Sequence, residues 1–107
     1  MEHKIPKHIL ENAIIEQIKL IFDPEIPVDI YALGLIYNID IDDDWNVKVD
    51  MTLTAPNCPV ADSILMEVKD KISFIQSVKS ADINLTFDPP WDKSMMSEEA
   101  QLELGFL

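Results

Sequence analysis

Chemistry in this chain begins with one sulfur atom: Cys58, its only cysteine, in the run Met51-Thr52-Leu53-Thr54-Ala55-Pro56-Asn57-Cys58-Pro59. A thiolate is a soft metal ligand and a nucleophile. Pro59 suits the first position of a helix, where a missing N–H costs nothing, which puts Asn57 or Cys58 at or beside the cap. The unpaired N–H groups of a first helical turn favour a thiolate placed there. A lone cysteine also serves as a small buried hydrophobe, and position alone leaves both roles open. Two hydroxyls, Thr52 and Thr54, precede it, and two carboxylates, Asp23 and Glu25, occupy the stretch Asp23-Pro24-Glu25-Ile26-Pro27-Val28. Turn chemistry explains those carboxylates unless they face the thiol. His3 and His8 are the only histidines and read as solvated surface residues at the start of the first helix. With no histidine or arginine near the thiol there is no Cys–His dyad, which argues against hydrolytic cysteine catalysis.

Three strands and two helices must position these groups. Val47, Val49, Met51 and Leu53 alternate with Lys48, Asp50, Thr52 and Thr54, so one face is apolar and the two threonines project from the other. Before it, Leu35, Tyr37, Ile39 and Ile41 alternate with Ile36, Asn38 and Asp40. After it, Ala81, Ile83, Leu85 and Phe87 alternate with Asp82, Asn84 and Thr86, up to Pro89 and Pro90. A helix opening at Pro6 carries Ile9, Leu10, Ala13, Ile14, Ile18, Ile21 and Phe22 toward a core and ends at Asp23-Pro24; a second runs from Pro59 to about Ile75 with Val60, Ile64, Leu65, Val68, Ile72 and Ile75. Asp29 suits the cap of a single turn, Ile30 to Leu33, closed by Gly34, and Ser97 suits the cap of a short terminal helix stopped at Gly105. Asp42-Asp43-Asp44-Trp45-Asn46 reads as a hairpin turn, because it lacks the alternating ligands and mid-loop glycine of a calcium loop.

The order helix, strand, strand, helix, strand, short helix predicts an α/β two-layer sandwich, a three-stranded sheet with both long helices on one face. An antiparallel first hairpin, and a crossover that sets the third strand parallel to the second, bring three segments to one edge. These are Asp23 to Val28 with Asp29, Ala55 to Pro59, and Asp88 to Asp92 with Trp91. Loops gathered at one end of a rigid sheet are where binding sites commonly lie.

Bulk properties narrow the partners. The chain has 107 residues, a length for one domain, and 8 basic residues, all lysine, against 20 acidic ones. A net charge of -12 argues against nucleic acid and anionic membranes, and favours a basic partner surface or a cationic metal. One cysteine forbids an internal disulfide and points to a reducing, cytoplasmic setting, as does the polar start from Met1 to Lys7. Only two glycines, Gly34 and Gly105, leave no phosphate-cradling loop. A soft thiolate beside hard carboxylates suits transient iron binding, and a single thiol needs a second subunit, a partner protein or a small thiol to hold an iron–sulfur cluster. A homodimer would supply that second thiol.

Asp23-Pro24-Glu25-Ile26-Pro27 with Asp29-Ile30 and Leu33-Gly34-Leu35-Ile36-Tyr37, Met51-Thr52-Leu53-Thr54 through Cys58-Pro59, and Asp88-Pro89-Pro90-Trp91 with Met95-Met96-Ser97 together resemble the SufT and PaaD family of iron–sulfur assembly domains, also called the MIP-eighteen family. The chain looks most like the stand-alone SufT-like members, having neither an ATPase domain nor extra zinc-binding cysteines. The resemblance implies a non-enzymatic accessory or targeting factor in iron–sulfur cluster maturation, with Cys58 as the functional thiol and with scaffold proteins and apo-protein clients as partners. Two other readings stand beside it. One is a protein-binding adaptor that uses Pro90, Trp91 and the acidic surface, with Cys58 as packing. The other is a thiol enzyme, disfavoured by the missing CxxC pair and histidine base.

Overall fold

Helix α1, Lys7–Ile18, begins directly after Pro6, whose φ of -56° suits a helix entry. In this computed structural model, which describes residues 5–22, 27–54 and 61–105 without the Ala61 side chain, α1 buries Leu10, Ile14 and Ile18 along one stripe. The helix stops at Ile18, short of the expected Asp23-Pro24 boundary. The N–H groups of Leu20 and Ile21 tighten the last turn by donating to the carbonyls of Gln17 and Ile18. Ile21 then accepts the N–H of Ile30 at 2.9 Å, and Phe22 bridges antiparallel to Asp29. A tertiary pairing therefore ends the helix before the proline is reached. It leaves Ile21 buried but turns Phe22, expected in the core, outward at 52% exposure. Ile9, on the flank of the same helix, is also exposed.

Strands β1 (Ile36–Ile41), β2 (Asn46–Met51) and β3 (Ser80–Leu85) form a three-stranded sheet in the order β1-β2-β3, antiparallel between the first pair and parallel between the second. Helix α2, Ala61–Ser73, is the crossover that makes the parallel pair possible. It ends two residues before the expected Ile75, and its expected start near Pro59, with Val60, lies outside the described residues. Helix α1 packs against β1 and α2, and α2 against β3, so both long helices cover one face. Ile64, Val68 and Ile72 of α2 meet Val47, Val49 and Met51 of β2 and the α1 stripe in the core. The other face carries exposed Asp40, Lys48 and Asp82, with the Asn84 amide donating to Asp50 at 3.1 Å.

Simple alternation fails in one strand. Ile36, Ile39 and Ile41 pair with Met51, Val49 and Val47, with a register shift between Ile36 and Asn38. Paired residues point to the same side, so Ile36 joins the helix-covered face and Tyr37 becomes the extra residue of a bulge. The expectation had those two the other way round.

The hairpin turn is built as the aspartate run suggests. Asp42 accepts the N–H groups of Asp44 and Asn46, each at 2.9 Å, and the Asn46 side-chain amide at 3.0 Å, while Trp45 takes a φ of 64°. The Asn46 side chain first, then its backbone N–H, holds the Asp42 carboxyl below its ordinary value of 3.8. Helix α3, Glu98–Glu103, is capped by the Ser97 hydroxyl, which accepts the Ala100 N–H at 3.1 Å. Gly105 at φ +80° follows it.

Candidate functional site

Asp29 lies at the start of the tight turn that enters β1. Its carboxylate accepts the Ala32 N–H at 2.9 Å, its carbonyl accepts the Leu33 N–H at 3.0 Å, and the Leu35 N–H reaches back to Ile30. Gly34 closes the turn at φ +81°, a conformation that costs a residue with a Cβ. Asp29 therefore caps this turn, as expected, and one of its oxygens is spent on the backbone.

The C-terminal segment returns to the same place. After β3 the chain passes Asp88-Pro89-Pro90 and sends the Trp91 indole N–H to the Leu33 carbonyl at 2.7 Å. The 3-10 turn Lys93–Met95 lies so close to Gly34 that a Cβ there would collide with the Met95 carbonyl. The Ser97 N–H donates to the Ala32 carbonyl at 2.8 Å. The Tyr37 hydroxyl, carried outward by the bulge, donates to the Pro89 carbonyl at 2.8 Å and lies 3.5 Å from the Met95 sulfur. The turn from Asp29 to Gly34 and the expected Asp88 to Asp92 segment, with its continuation to Ser97, thus meet at one edge of the sheet. Residues 55–60, with Asn57 and Cys58, lie outside the described residues, as do Asp23 and Glu25.

Thr52 departs from expectation. It was to project from an open polar face, yet its exposure is 0%. The ladder runs one rung past β2: the Thr52 N–H donates to the Leu35 carbonyl at 2.8 Å, and the Thr86 N–H to the Met51 carbonyl at 2.9 Å. Leu35 is equally buried. The Thr52 hydroxyl lies 3.5 Å from the Leu53 carbonyl, a long contact. Thr54 is half-buried and leads into residues 55–60; Trp91 is half-buried as well.

Asp92 caps the 3-10 turn, and the Ser94 hydroxyl, then the Ser94 backbone N–H, hold its carboxyl below the ordinary value of 3.8. Among the described residues no three histidine, cysteine, aspartate or glutamate side chains group to hold a metal. No described helix is long and apolar enough to cross a membrane.

Sequence reasoning passed over Tyr37, Met95 and Gly34 as a contact set. One signal was present: a tyrosine among the isoleucines of β1 carries a hydroxyl that seeks a partner when half-buried.

A three-stranded α/β domain with its loops drawn to one sheet edge defines the class, and a family model described as iron–sulfur cluster assembly protein matches residues 11–85. The chain belongs to that family. It is 56% identical over 97 residues to an Fe-S protein maturation auxiliary factor of Porphyromonas gingivalis, covering 91% of this chain and 92% of that protein. It is 40% identical to the Fe-S protein maturation auxiliary factor SufT of Staphylococcus aureus, covering 80% of this chain and 98% of that one. The crystal structure of a domain of unknown function from Bacillus anthracis is similar, with a TM-score of 0.87 at 35% identity, over 94% of this chain and 95% of that chain.

Proposed function

We propose that this protein is an auxiliary factor in the maturation of iron–sulfur proteins, and that Cys58 is the thiol through which it contacts iron, a cluster or a client. The observation that carries the reading is its 56% identity, over nearly the whole length of both chains, to a protein named as such a factor. Cargo transfer needs exchange more than a closed coordination shell, and a single soft ligand suits that requirement. In this reading Asp23, Glu25 and Asn57 are the candidate oxygen donors to accompany the thiol. Asp29 and Thr52 shape the edge rather than touch cargo, because one is engaged as a cap and the other is buried. Thr54 and Trp91 border the site. A second subunit, a scaffold protein or a small thiol completes the ligand set, in a cytoplasmic setting.

Anaerobic reconstitution with iron and sulfide, alone and with a scaffold protein, tests this reading against a Cys58→Ser variant. Wild type should retain iron or activate an apo-protein client, and the variant should do neither. Equal iron content and equal client activation in both proteins would sink the role assigned to Cys58. Native mass measurement with and without iron reports whether cargo is held between two copies.

A further inference from the structure

Between α3 and the segment that enters the Asp29 turn lies an open cleft of about 420 Å³, a volume in the roughly 300–1,000 Å³ range of pockets that seat a ligand. Phe22, before the Asp29 turn, and Leu102, on α3, both line it and are exposed to 52% and 61%, together with buried Ala100. Large apolar side chains that flank a concavity are a different matter from scattered surface hydrophobes, because one partner can cover both at once. The charged part of the lining is acidic: Asp29, Glu99 and Glu103 border the cleft, and among the described residues none that lines it is basic. An apolar centre inside a charged rim is the usual anatomy of a recognition site, and the sign of the rim selects the partner. The walls are also fixed in place. Ser97 is tied to Ala32, the Gln101 amide donates to the Met96 carbonyl at 3.0 Å, and Asp29 caps its turn.

From this geometry we infer that the cleft docks a peptide segment of a partner protein, one that presents an apolar side chain flanked by lysine or arginine. An acidic segment is repelled by the three carboxylates, and a second copy of this chain, at a net charge of -12, is a poor electrostatic match. This docking role makes no use of the Cys58 thiol, so it stands or falls separately from the thiol's role.

The test uses the full chain and a fluorescent amphipathic peptide of leucine and lysine, with a leucine and glutamate peptide of the same spacing as control. Anisotropy titration should show binding of the basic peptide that weakens with salt, and none of the acidic one. A Phe22→Ser/Leu102→Ser variant should lose about tenfold or more in affinity, and both positions are exposed enough for the chain to fold, which far-UV circular dichroism checks. Glu99→Gln/Glu103→Gln should weaken binding, whereas Asp82→Asn on the open sheet face and Phe74→Ser after α2 should not. Equal binding by the serine double variant, an equal loss in Asp82→Asn, or binding of the acidic peptide would overturn the proposal. So would a wild-type chain that dimerises through Phe22 and Leu102, since the occupant would then be a second copy.

Discussion

The indole N–H of Trp91 donates to the backbone carbonyl of Leu33 at 2.7 Å, across fifty-eight positions of sequence. Leu33 lies in the turn that Asp29 opens and Gly34 closes, so this bond ties the exit of the third strand to the entry of the first. Trp91→Phe keeps most of the ring and strands the Leu33 carbonyl. It should cost roughly 1 kcal/mol, and Trp91→Ala roughly 2–3 kcal/mol because packing is lost as well. Urea denaturation followed by circular dichroism reads both. Equal cost for the two variants would show that the hydrogen bond, rather than the ring, holds the segment.

The two glycines separate backbone strain from collision. Both take positive φ, +81° at Gly34 and +80° at Gly105, but only Gly34 has a neighbour in the way, the Met95 carbonyl. Gly105→Ala should therefore cost roughly 1 kcal/mol for its backbone conformation alone. Gly34→Ala adds overpacking and should cost roughly 2–4 kcal/mol. It should also shift Trp91 emission to longer wavelength as the C-terminal segment lifts. Similar stability of the two variants would count against the close approach of Met95.

Asp29 accepts the Ala32 N–H as the cap of its turn. Asp29→Ala should cost about 1 kcal/mol, and Asp29→Asn, which can still accept that bond, only a few tenths. If Asp29 contacts cargo instead, the asparagine variant will be as stable as wild type yet fail in client maturation. The pair of measurements separates cap from ligand.

Asp42 sets the acid response of the hairpin. Its folded carboxyl lies below the ordinary value of 3.8, chiefly through the Asn46 side chain. A depressed carboxyl contributes stability above its unfolded value, and that contribution fades as pH falls through the folded value. Stability should thus decline on acidification from about pH 4 downward, and Asp42→Ala should shallow the decline while lowering stability at neutral pH. Thermal melts across that range, for wild type and variant, check the sign. The group is fully exposed, so the effect is small beside that of the two core helices.

Much of this molecule was legible in its sequence because the relevant forces are local. Stripes at three- and four-residue spacing located α1 and α2, alternation located β2 and β3, and Asp29, Asp42 and Ser97 were recognisable as caps or turn-formers since each bonds backbone a few residues away. Element order then implied that β3 runs parallel to β2, since a helical crossover leaves little other choice, and the structure adds that the two strands pair directly. Periodicity counts residues and cannot see an inserted one, which is why the bulge at Tyr37 reversed the faces of Ile36 and Tyr37. The early end of α1 was hidden for a related reason: Ile21 is held by Ile30 and Phe22 by Asp29, across a loop whose path only the fold determines.

The candidate site divides along the same line. Cys58, with its nearby prolines and hydroxyls, was a property of the chain, and so was the excess of acid that disfavours anionic partners. Burial of Thr52, the seat of Trp91 on Leu33 and the cleft lined by Phe22 and Leu102 belong to the tertiary structure alone. Exposure depends on what else arrives at a surface, and here the C-terminal segment, far along the chain, lies against the turn that enters β1 and contributes one side of an acidic cleft with apolar lining.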